Sequence, residues 1–300
     1  MVAGRELNPR HADFQTHGFH ARLFELSCFA YLKSAGLEID RSVERPDFIV
    51  SRGGLSVAIE AVTANTPDDQ SNDISVAQMS QLPQSDILAK VIHDFPKRMC
   101  NSLRKKSAQR YHAASHVSGK PIVLVIAPCF EAGAGFYPDD AFFYGLYGPP
   151  DAEPVWQGRP AFFWQKENRA ISSVVYCNAF TVSRFFRLAT PLGPNSSIVA
   201  TRAGAYYTRV SDSESALGTF EFRVGHPGTP KETWSEGVTI FQNPFATVPL
   251  PDDYLPRSCV VSVQDGYVSR QVYGFHPISS CMITHVPEGT EDDDSSPKSD

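Results

Sequence analysis

RPDFIVSRGGLSVAIEAVTAN, Arg45 to Asn65, decides how the first part of this chain folds. Gly53-Gly54 separates two apolar runs, and both glycines accept the positive φ that a two-residue hairpin turn requires. Closing the hairpin there sets Arg52 opposite Leu55, Val50 opposite Val57 and Asp47 opposite Glu60. Side chains alternate between the faces of a strand. Asp47, Ile49, Ala58 and Glu60 therefore share one face, and Phe48, Val50, Val57 and Ile59 share the other. Directly opposed residues have Cβ atoms roughly 5 Å apart. Two acids at that distance on an apolar hairpin repel. One stays protonated, a cation lies between them, or a base such as Arg45 relieves the pair at a sheet edge. Hard carboxylate oxygens favour Mg2+ or Mn2+ as that cation.

Outward from the hairpin, Phe19, Leu23, Leu26 and Ala30 recur at helical spacing and predict a helix over residues 17–34, ended by Gly36. On it Glu25 shares a face with Cys28, Phe29 and Leu32. An acid on an apolar stripe needs compensation. A salt bridge to Arg22 supplies it, and so does a place beside Asp47 and Glu60. Short strands are expected over 38–41, 48–52 and 55–63, then a polar loop over 64–84. Helical sequence resumes at Ser85, kinks or restarts at Pro96 and reaches about Ala114. KPIVLVIAP, Lys120 to Pro128, is a continuous apolar run of the kind buried on both faces of a sheet.

Past Cys129, aromatic and β-branched runs alternate with Gly/Pro turns. Strands are expected over 160–165, 171–178, 205–210, 219–224, 238–241 and 267–275. The expected organisation is a loose leader over 1–14 and an α/β core over 15–128. A mostly β region packed on that core covers 129–286, and a disordered acidic tail covers 287–300. The runs FFW and FFR, at 162–164 and 185–187, read as core packing, Asn243 as a turn residue, and His226 and His276 as structural.

The formal charge of −6 is uneven, because the tail holds six acids against Lys298. From Lys90 to Lys120 eight Lys/Arg stand against Asp94 alone, which suits either a polyanion partner or a solvated helix face. No run of 18 apolar residues and no apolar leader segment occurs, so a cytoplasmic protein without a membrane partner is expected. The six cysteines are scattered without CxxC spacing and read as reduced, buried small hydrophobes. GxGxxG, P-loop and GxSxG motifs are absent, which weighs against a small-molecule enzyme.

A helix bearing Glu25, then Pro46-Asp47 before a strand, then Glu60 in the next strand resembles the PD-(D/E)xK nuclease superfamily over about residues 17–128. The chain also resembles a bacterial family without a settled activity, through PDF (46–48), IEAVTAN (59–65), HVSGKPIVLVIAP (116–128), FFYGLYG (142–148) and FQNPFATVPLP (241–251). The first resemblance implies a restriction-endonuclease-like core of helix, antiparallel hairpin, helix and buried strand. It implies metal-dependent phosphodiester hydrolysis with Asp47 and Glu60 on Mg2+ or Mn2+ and Glu25 as third ligand or water orienter. The motif lysine should stand at Val62, and valine cannot orient water or neutralise phosphate charge. The following helix is the expected donor, through Lys105 or Lys106 and less readily Lys90; phosphate contact or solubility accounts for these lysines equally well. Lys97, Arg98, Arg104 and Arg110 would track a nucleic-acid backbone, DNA before RNA. The rival reading is a nuclease fold kept as a non-catalytic binding or interaction module.

Overall fold

The computed structural model describes residues 19–65, 81–149, 158–190, 196–209, 215–264 and 266–285, with a few positions between. The expected leader, most of the loop over 64–84 and the acidic tail lie outside the described residues. The protein is a mixed α/β structure with one large mixed sheet and a second, antiparallel sheet. Helix α1 spans Phe19–Ser34, α2 Gln84–Ala89, α3 Phe95–Ser107, α4 Asp139–Tyr147 and α5 Val182–Ala189. The strands are β1 Glu38–Asp40, β2 Phe48–Arg52, β3 Leu55–Asn65, β4 Ile122–Cys129, β5 Val155–Trp156, β6 Arg159–Pro160 and β7 Ser173–Tyr176. They continue with β8 Val199–Arg209, β9 Ser215–Arg223, β10 Thr239–Gln242, β11 Cys259–Gln264, β12 Tyr267–Val272 and β13 Pro277–His285.

The large sheet runs β1-β2-β3-β4-β7-β10-β11-β12. Gly53 and Gly54 both adopt positive φ, at 61° and 82°, and close β2 on β3 with Val50 against Val57 and Phe48 against Ile59. β4 pairs in parallel with β3 on one side and β7 on the other, and seven of its eight residues are buried. That double cover explains its uninterrupted apolar run. Phe24, Cys28, Tyr31 and Leu32 of α1 pack on the sheet face carrying Phe48, Val50, Val57 and Ile59. Phe95, Met99 and Leu103 of α3 pack with Phe142 of α4 on the opposite face, against Ile49, Ala58 and Val62. α3 and α4 meet closely at Gly145, where an added Cβ would stand 2.7 Å from Cys100 Sγ.

The large sheet crosses the boundary expected near residue 128, because β7 and β10–β12 extend it from the far side of β4. The second half also contains α4 and α5. Both are built on aromatic pairs, Phe142-Phe143 and Phe185-Phe186, whose β propensity hides the helical spacing of what they bury. Phe162–Trp164 forms a turn of 3-10 helix rather than part of a strand. Between α2 and α3, Lys90–Asp94 winds as a π-helical turn, and Pro96 falls in the first turn of α3, where its missing N–H costs nothing.

The second sheet, β13-β8-β9, is joined to α5 by buried charge. Arg187 makes a two-pronged contact with Glu232 at 2.5 and 2.7 Å, and Arg184 Nε reaches the same carboxylate at 3.1 Å. Arg202 on β8 pairs with Glu236 at 2.5 Å. Burial works to raise the pKa of Glu232, yet the surrounding arginines win and hold it below the usual carboxylate value. Removing that charge strands buried guanidinium groups. Glu232→Gln should lower unfolding free energy by about 3–5 kcal/mol in denaturant titration at neutral pH. A loss below about 1 kcal/mol would mean that water, not Glu232, compensates these arginines.

Candidate functional site

β2 and β3 bring Asp47 and Glu60 together on the α3 face. The Asp47 backbone N–H donates to Glu60 Oε2 at 3.3 Å, and the Ala61 N–H donates to Asp47 Oδ2 at 2.8 Å. Glu60 is 4% exposed. From the last turn of α3, the Lys106 ammonium donates to Glu60 Oε1. Lys105, one residue earlier and about 100° round the helix, is exposed. Val62 is buried in the core below α3. The positive charge beside the acids therefore comes from the helix, and the strand position two residues after Glu60 serves packing.

Burial, and next the charge of Glu60, push the Asp47 carboxyl up to about 6. The Ala61 N–H and Lys106 pull the other way without cancelling that rise. Tyr111, just beyond α3, borders the same pocket of charge. Burial first and Glu60 second raise its phenol, which donates to Gln109 at 2.8 Å.

Glu25 stands on the α1 side and is claimed by two bases. Arg22 Nη1 donates to one carboxylate oxygen at 3.0 Å, and Arg41 donates to the other. Its charge still contributes a little to the rise at Asp47. As placed, Glu25 is an ion-paired residue beside the Asp47–Glu60 pair, and Arg41 is a partner that sequence spacing did not single out.

The other basic residues are dispersed. Lys90 pairs with Glu131 at 3.1 Å, far along the helical stretch from the acids. Arg98 lies over the Phe130 ring, 5.1 Å from its centroid, and Lys97 is exposed near the start of α3. Arg104 and Arg110 border a separate cavity at the other end of that helix.

A second polar cluster was invisible in sequence. Asp139 opens α4, and among the described residues it forms with Cys259 and His276 a group of three metal-type donors within 4.8 Å. All three are buried. His276 Nδ1 is 2.7 Å from Ser258 Oγ, Thr239 Oγ1 donates to Asp139 Oδ2 at 2.6 Å, and Asp139 Oδ1 has no hydrogen-bond partner. Such a donor set suits zinc in kind. A cation already stands among the donors, however: Arg270 reaches Asp139 at 3.0 Å and Cys259 Sγ at 3.4 Å, and also holds Asp140. The cluster ties α4 to β11, β12 and the start of β13. Asn243 is structural as well, its amide donating to the carbonyls of Ile171 and Asn168.

Comparison with family models, with curated proteins and with solved structures returns no match. Among the described residues, no helix is long and apolar enough to cross a membrane.

The raised Asp47 carboxyl has a consequence for stability. An unfolded aspartate gives up its proton near pH 4, and folded Asp47 does so near 6. Between those values the folded state holds the extra proton, so stability falls as pH rises, then stays level. In EDTA, Asp47→Asn should be roughly 1–2 kcal/mol more stable than wild type at pH 7 and equal to it at pH 3. Equal pH profiles for the two proteins would show that neither burial nor Glu60 raises the Asp47 carboxyl.

Proposed function

We propose that the protein hydrolyses phosphodiester bonds of nucleic acid with a divalent metal, through a variant PD-(D/E)xK site in a restriction-endonuclease-like core. The observation that carries this reading is the Lys106 ammonium on Glu60, beside Asp47, where the strand offers Val62. A buried acid, a half-buried acid and a lysine are the three groups that such chemistry needs, the lysine coming here from α3 instead of the strand.

The acids fit a hard cation. Asp47 is held near pKa 6 by burial and by Glu60, and a cation between the carboxylates relieves that repulsion. Asp47 and Glu60 would hold Mg2+ or Mn2+, and the bound ion would supply Lewis acidity and a water of lowered pKa. Lys106 would hold its proton toward the scissile phosphate and offset charge as it develops there. The Ala61 N–H fixes the Asp47 carboxylate in one orientation. Glu25, clasped by Arg22 and Arg41, would act by positioning rather than by touching the reacting atoms. Lys105, exposed beside this lysine, would contact the backbone of the bound strand.

One contact favours the rival reading of a binding module without catalysis. Lys106 neutralises Glu60 directly, so the pair is partly compensated without any metal. The test is cleavage of single- and double-stranded DNA and RNA in Mg2+ or Mn2+. Asp47→Asn, Glu60→Gln and Lys106→Ala should each reduce turnover by about 100-fold or more. Lys105→Ala should leave turnover intact and weaken binding mildly. Absence of cleavage with either metal, together with no metal-dependent rise in melting temperature, would replace this reading by the binding module.

A further inference from the structure

On the α3 face a cavity of about 860 Å³ opens beside the end of that helix. Arg104 and Arg110 border it from α3 and the following turn, Lys120 from the approach to β4, and Lys166 and Arg169 from the 3-10 turn Lys166–Ala170. Against these five bases stands one carboxylate, Glu167. None of the five takes part in an ion pair among the described residues. The contrast with Arg184, Arg187 and Arg202, each matched to Glu232 or Glu236, is sharp. A fold that pairs its buried arginines has left these bases unpaired around a concavity. Arg110 adds a second sign. Its φ of 53° is in the left-handed region, which a residue with a Cβ enters at a cost, at the point where the chain bends round the cavity.

A smaller depression of about 420 Å³ shares Arg104, Lys166 and Glu167 with this cavity and adds Arg159 and Trp164. Trp164 is 47% exposed, unusual for a residue in an otherwise buried Phe-Phe-Trp run. Its indole is nonetheless fixed, because Nε1 donates to the Tyr147 carbonyl at 2.9 Å and the ring meets Phe245 edge-on at 4.7 Å. A held, exposed indole at one end of a basic trough is the arrangement that accepts an unpaired base and its phosphates. A duplex buries its base faces in its own stack and has none to lay on Trp164.

We propose that this trough binds single-stranded nucleic acid, one base stacking on Trp164 and the adjoining phosphates lying against Arg104, Arg110, Lys120, Lys166 and Arg169. The strand would then lead toward the acids. Ser107 on the cavity wall follows Lys106 directly, and Ile122 at the cavity lies two residues before Leu124, the β4 partner of Glu60, roughly 7 Å along the strand. This inference rests on the hydrolytic reading for the fate of the strand, and not for its binding.

The test is fluorescence anisotropy of the full chain, in EDTA, with a labelled single-stranded oligonucleotide, its duplex and a mononucleotide. The single strand should bind about tenfold or more tightly than either. Arg110→Ala and Arg169→Ala should each weaken it several-fold and reduce the salt slope by about 0.7 per lost phosphate contact. Trp164→Ala should cost about tenfold and Trp164→Phe should largely restore binding, because phenylalanine keeps a stacking face. Oligonucleotide should quench wild-type tryptophan emission and leave Trp164→Phe unquenched. Equal affinity for the duplex, a mononucleotide bound as tightly as the strand, or indifference to Arg110 and Trp164 would each overturn the proposal. Binding without cleavage would sink only the hydrolytic reading. Cleavage with unaltered binding in the trough variants would sink only this one.

Discussion

Asp47 and Glu60 stand side by side because the Gly53-Gly54 turn leaves β2 and β3 a single register, and the repulsion between them shapes what surrounds them. A one-residue slip of either strand would turn its acid into the apolar α1 core and carry its partner face toward α3. Lys106 meets Glu60 only if the end of α3 lies low on the sheet. That height is set by Phe95, Met99 and Leu103 packing on Ala58 and Val62, and by α4 closing on α3 where Gly145 has no side chain. A lysine at position 62 would have to thread between sheet and helix. The valine thus makes the close helix approach possible, and Val62 and the contact from Lys106 are parts of one packing arrangement.

The first half of the chain was legible because its signals are local. Gly-Gly fixes a turn, alternation fixes which residues share a face, and the helical spacing of α1 is clean. The acid pair followed from those rules alone. Lys106 over Lys105 did not, because the choice depends on a helix rotation that only tertiary packing sets. The partner of Glu25 was likewise half visible: Arg22 is three residues away, whereas Arg41 arrives by the turn into β1. In the second half, Asp139 lies more than a hundred residues before Cys259 and His276, and no spacing rule joins the three. His276 looked isolated for that reason. α4 and α5 were hidden by aromatic pairs that fit a pleated surface as readily as a helix. The large sheet crossing residue 128 could not be read either, because β7 and β10 are only four residues each and carry no topological mark.

Three treatments of positive charge divide the molecule. In the cluster of Arg184, Arg187 and Arg202, every guanidinium is buried and matched, and removing a partner is costly because nothing else can approach. Arg270 is an intermediate case, a partly exposed guanidinium spread over Asp139, Asp140 and a thiol that burial keeps protonated, its pKa pushed up to about 12. Around the cavity at the end of α3 five bases form no ion pair among the described residues and face one carboxylate, Glu167. Like charges gathered without counter-ions repel and lower stability, so such a group persists where a solute relieves it. Both the acids at Asp47–Glu60 and the bases at the cavity are unbalanced in this sense, with opposite sign, on the same face of the sheet and joined by consecutive residues of α3. A ligand that carries phosphate can relieve the bases directly and can relieve the acids only with a cation between. The same opposition of charge therefore orders the two proposals: contact with the trough requires no metal, whereas approach of a phosphate to Asp47 and Glu60 does.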